Sequence, residues 1–177
     1  MNDRCRQRRM VLLWILFLGM GAIMPSLRGQ TPDQVKQQKE LAKEQQKFAD
    51  LQKHLPSEKG VKQAQTLAEL AHINFDFAHA AYDAGNVAGG RSQLQSAQAY
   101  AAQAMQVVQQ EAATGHTGGM KKVEMEFQEI AYGLHDLSQS ADFQQRPPID
   151  AAQRYFAEQR DQVLSLMFTP HKKEKKG

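Results

Sequence analysis

Apolar residues at Val123, Phe127, Ile130, Leu134, Leu137 and Ala141 follow one another at steps of four, three, four, three and four. Such steps wind a single apolar stripe down an α-helix. Glu124, Glu126, Gln128, Glu129, His135 and Asp136 occupy the faces between. A helix of this kind needs a partner for its stripe, because packing rather than propensity supplies most helical stability. The same pattern recurs along the chain. Leu41, Phe48 and Leu55 stand seven apart, with Leu51 between the last two, in a helix running to Pro56. Thr31 is its candidate N-cap, and the rest is Lys, Gln and Glu. A stripe this narrow suits a docked helix better than a self-associating coiled coil.

A second helix is expected from a Ser57 cap to Ala84, with Leu67, Leu70, Ala71, Phe77, Ala78, Ala81 and Tyr82 on its apolar face and Phe75 bordering it. Gly85-Asn86 ends it and caps the next, so the third helix, Val87 to Ala113, turns back antiparallel. Its stripe is Leu94, Ala97, Ala101, Ala104 and Val108, small residues that admit a close neighbour. GHTGG, residues 115–119, is a loop before the opening stripe. Asp142 to Pro148 is another, and the fifth helix buries Ile149, Ala152, Phe156, Val163 and Leu166 or Met167, with Asp150 in its first turn. No segment alternates as a strand does. The fold class is therefore all-α, a bundle of five helices in which two antiparallel hairpins form a four-helix core beside a polar N-terminal helix.

Residues 1–29 change the picture of where this bundle goes. Arg4, Arg6, Arg8 and Arg9 precede an uncharged run from Val11 to Met24. A basic start, an apolar run and then small and polar residues describe a secretory signal. As a helix the run spans roughly 21 Å, short of the ~30 Å hydrocarbon core. An uncleaved anchor is the alternative, and it would be the chain's only membrane contact. The division expected is 1–29 signal, 30–56 polar helix, 57–168 core and 169–177 a basic disordered tail. An exported chain of this kind is periplasmic or secreted.

Charge follows the same division. Five of the 22 Lys+Arg and one of the 19 Asp+Glu lie in residues 1–29, leaving 17 bases against 18 acids. Removing the tail, with its four lysines and Glu174, leaves the body at 13 against 17. A mildly acidic body argues against a nucleic-acid partner. The one cysteine, Cys5, falls in the signal, so the remainder has no disulfide, thiolate metal site or cysteine nucleophile.

The sharpest constellation is His72, Asp76, His79 and Asp83, spaced four, three and four. These fall within about 60° on a helix. Two imidazoles and two carboxylates in a row are weak candidate metal ligands. The apolar face of that helix centres on Leu70, Phe77 and Ala81, which places the row toward solvent as two i,i+4 His–Asp pairs. A solvated row lacks the convergence and outer shell that a metal site needs, so no metal is assigned. His135 flanks the fourth stripe as a boundary residue, and His54, His116 and His171 lie at helix ends or in loops. Arg146, Arg154 and Arg160 would suit an anion, but their spacing does not align them. No nucleophile elbow, metalloprotease motif, P-loop or dinucleotide fingerprint is present, and no catalytic residue or cofactor is assigned.

Tyr82, Gly85 and the spaced alanines after them echo a tetratricopeptide turn, but the helices are too long and no second copy follows at 34 residues. Residues 120–168 carry KKVE opening one helix, an R-x-P loop at Arg146 to Pro148, and a last helix with Arg160 and a Leu-Met-Phe end. This stretch resembles uncharacterised exported helical proteins of acidobacterial type, a resemblance that implies an exported helical hairpin and brings no activity. The expected function is a non-enzymatic binding or scaffolding module of the cell envelope with a protein partner. The alternatives are a periplasmic helical chaperone or stress protein, and a metal or haem binder using the His72 row.

Overall fold

The computed structural model describes residues 32–168. The signal segment, the Thr31 cap and the basic tail lie outside them. By contact the chain divides into Met1–Gln37, of which residues 32–37 are described and helical, and Gln38–Gly177. The described residues form five α-helices: α1 Pro32–His54, α2 Gly60–Asp83, α3 Val87–Ala113, α4 Met120–Ser140 and α5 Arg146–Phe168. A short 3₁₀ turn, Leu55–Ser57, follows α1. None of these helices is long and apolar enough to cross a membrane.

Helices α2 and α3 form one antiparallel hairpin and α4 and α5 another. Helix α2 also packs on α4, and α3 on α5, which closes a four-helix core. The expected stripes of α3, α4 and α5 line it. Val123, Phe127, Ile130, Leu134 and Leu137 are buried, as are all five small residues of the α3 stripe. Phe127 meets Phe156 of α5 edge-on, with centroids 5.9 Å apart. The hairpin turn forms as its residues dictate. Gly85 takes the left-handed conformation at φ +73°, and Asn86 Oδ1 accepts from the Gly89 N–H at 3.0 Å.

Three local expectations are corrected. Ser57 does not cap α2: its hydroxyl donates back to the His54 carbonyl at 2.7 Å, and the helix begins at Gly60 without a side-chain cap. Helix α5 begins at Arg146, because Pro147 and Pro148 lack only N–H groups that a first turn leaves unbonded anyway. That earlier start moves Asp150 into the second turn, where it accepts a hydrogen bond from Ser138 of α4.

Helix α2 is apolar on two sides. Ala64, Leu67, Ala68, Ala71, Phe75, Ala78 and Tyr82 enter the main core. Leu70 and Ile73 are buried outside it, on the side where Phe77 meets Phe48 of α1 at 6.1 Å. Phe48 also meets Tyr100 of α3 at 6.1 Å, and Gln52 donates to the Tyr100 hydroxyl at 2.7 Å. The narrow stripe of α1 thus docks on the first hairpin.

One close approach fixes the seam between α2 and α4. A Cβ on Gly133 would collide with the buried Phe75 ring. Alanine in mid-helix ordinarily gains about 0.5–1 kcal/mol over glycine. Here overpacking should reverse the sign, so Gly133→Ala is expected to cost about 1–2 kcal/mol in urea unfolding. Phe75→Leu in that background should recover part of the loss. A stabilised Gly133→Ala would show that the ring is not seated there.

Candidate functional site

The seam between α2 and α4 is built from polar side chains that pair in register. Gln65 donates to the Gly119 carbonyl at 2.8 Å, Glu69 meets Lys122 at 3.0 Å, and His72 meets Glu126 at 2.6 Å. Both sequences advance together, so the two helices run parallel. Helix α1 adds Lys47, 3.1 Å from Glu69. Burial raises the Glu69 carboxyl, but hydrogen bonds from Lys122 and Lys47 outweigh it and hold the group below the usual carboxylate range.

Next along the seam is a denser cluster. His72 Nδ1 lies 2.6 Å from Glu126 Oε2 and 3.7 Å from Glu129 Oε2. Three ligand atoms, one from each residue, lie within 4.8 Å of one another. Burial lowers the His72 ring, but the Glu126 hydrogen bond and the charges of Asp76, Glu126 and Glu129 overcome it and raise the ring above the usual 6.5. Asp76 is raised, first by burial and also by Glu44 of α1, against the pull of His72, His79 and Lys47. The Phe75 ring lies 6.2 Å from both His72 and His79, beneath the row.

The row is therefore not a solvated face. At 100° per residue, the α2 residues in the main core span an arc of about 100°, and the row lies about 100° from its centre. An apolar face centred on Leu70 and Phe77 is the face toward α1, and measuring from it sends the row to the wrong side. His72 is half-buried against Glu126 and Glu129 of α4, and half-buried Asp76 faces Glu44 and Lys47 of α1. The expected His79–Asp83 pair forms at 3.0 Å near the surface. The other does not: His72 turns to Glu126. Nor can the whole row share one ion, since His72 and His79 stand about 10.5 Å apart along the helix.

Glu126 and Glu129 are the site residues that sequence reasoning missed. They were legible only as acids beside the α4 stripe, and the parallel docking of α4 brings them to His72. The other candidates disperse. His135 is exposed rather than at the boundary, His54 is exposed, and His116 sits 3.8 Å from Glu111. His171 lies outside the described residues. Arg160 is taken by Glu124, Arg146 Nε donates to the Ala141 carbonyl at 3.0 Å, and Arg154 is exposed.

A second feature is apolar. The large exposed hydrophobic residues among those described are Met125, Tyr132, Phe143 and Phe168, at 47, 63, 83 and 77 % exposure, and all four belong to the α4–α5 hairpin. Met125 and Tyr132 are seven apart, on the side of α4 turned from the core, and the Gln128 amide between them donates to the Tyr132 hydroxyl at 3.2 Å. Comparison of the chain with protein-family models, curated proteins and solved structures returns no match.

Proposed function

We propose that the chain is an exported, non-enzymatic binding or scaffolding module of the cell envelope, offering its α4–α5 hairpin to a protein partner. The observation that supports this is the concentration of exposed apolar residues on that hairpin. Methionine and aromatic residues are enriched in protein interfaces, the aromatics supplying rigid contact area and methionine an adaptable one. Met125 and Tyr132 lie one heptad apart with Glu129 between them, the apolar centre and polar edge of a docking face. Export rests on the basic and apolar start of the chain, and the likeness to exported helical proteins of acidobacterial type belongs to the same proposal.

A photo-crosslinking residue in place of Tyr132 tests the reading in the native envelope. One discrete protein adduct is expected, lost when Met125→Glu is added while the far-ultraviolet circular dichroism stays unchanged. No adduct, or the same adduct with Met125→Glu, would overturn it. The same exposed residues would serve a chaperone, which would instead suppress aggregation of many heat-denatured clients and crosslink without selectivity.

A further inference from the structure

We propose that the α2–α4 seam binds one divalent transition-metal ion through His72 Nδ1 and the carboxylates of Glu126 and Glu129. Nitrogen and oxygen ligands stand about 2.0–2.2 Å from zinc, so two of them on a tetrahedral ion are roughly 3.3 Å apart. The separations from His72 Nδ1, 2.6 Å to Glu126 and 3.7 Å to Glu129, bracket that value. An ion between them would open the first by about 0.7 Å and draw in the second by about 0.4 Å. Glu129 is exposed and can swing, while His72 is held against the Phe75 ring. The ligands come from two helices, so the ion would close the seam rather than decorate one helix.

Asp76 gives a second and separate reason. It is half-buried one turn from His72 and forms no hydrogen bond or ion pair among the described residues. A cation held at His72 would therefore have a further carboxylate one turn away. The charges acting on His72 are Asp76 on its own helix and Glu126 and Glu129 on α4, while Glu44 and Lys47 of α1 and His79 act on Asp76. Three carboxylates thus converge on one imidazole. One imidazole with carboxylates suits zinc or manganese over magnesium, which takes oxygen and keeps its water.

The test is calorimetric titration of Zn²⁺ into the full chain after chelator washing, with Mg²⁺ as the contrast. One Zn²⁺ per chain is expected, with no Mg²⁺ heat. Glu129→Gln and His72→Ala should each weaken uptake at least tenfold, and His79→Ala should leave it unchanged. If His72→Ala fails to fold, Glu129→Gln still decides, because that side chain is exposed. Absence of stoichiometric uptake, wild-type affinity in Glu129→Gln, or an X-ray absorption spectrum requiring two imidazoles would overturn the proposal.

Discussion

Replacing Phe156 with alanine should lower the unfolding free energy by about 3–5 kcal/mol, the usual cost of emptying a buried phenylalanine site. Its ring is fully buried between two others: Phe127 at 5.9 Å and Tyr155 at 5.4 Å, both edge-on. The cavity would open where α4 and α5 meet, with fully buried Val123, Ile130, Ile149 and Val163 nearby in the same core. Small residues dominate the α3 stripe, so that side has little bulk with which to collapse into the space. Domains of this size hold only about 5–15 kcal/mol in total, so thermal unfolding should begin on the order of 10 °C lower. A cycle with Phe127→Ala should show coupling of about 0.5–1.5 kcal/mol from the ring pair. A loss under 1 kcal/mol in chemical denaturation would mean that Phe156 does not hold the second hairpin together.

Phe127 and Phe156 were legible from spacing alone, and so were the small-residue stripe of α3 and the Gly85-Asn86 turn. Each depends on a periodicity or a backbone demand contained within one segment. What escaped the sequence depends on how two segments meet. Helix α2 carries apolar residues over most of its circumference, so its wheel alone does not say which face is the core. Choosing the face toward α1 as the core turned the His72 row outward. Glu126 and Glu129 read as ordinary solvated acids, since their register against α2 follows from parallel docking. Ser57 looked like a cap because serine suits one, yet its hydroxyl found a nearer carbonyl in the preceding turn.

Glu124 is the sharpest case of that kind, because it stood among the polar residues of α4 and is 1 % exposed. Lys121 reaches it at 2.5 Å from the preceding turn, and Arg160 crosses from α5 at 3.0 Å. Burial raises the Glu124 carboxyl, but the hydrogen bonds and charges of Lys121 and Arg160 prevail and hold it below the usual carboxylate range. Removing Arg160 leaves a desolvated carboxylate with a single, largely exposed partner. Arg160→Ala should therefore cost about 2 kcal/mol, below the 3–5 kcal/mol of a fully orphaned buried charge. Glu124→Gln should cost less, about 1 kcal/mol, since Arg160 is partly exposed and keeps Asp161 at 3.4 Å. The pH dependence has a definite sign. A carboxyl whose folded pKa lies below its unfolded value stabilises the fold fully above the unfolded value, about 4.3. That contribution fades as the pH drops through the depressed folded value. The stability gap between wild type and Glu124→Gln, measured by urea unfolding, should hold from pH 7 to about 5 and close below about 4. A gap that persists unchanged to pH 3, or an Arg160→Ala variant as stable as wild type, would show that the buried carboxylate does not depend on the bridge between α4 and α5.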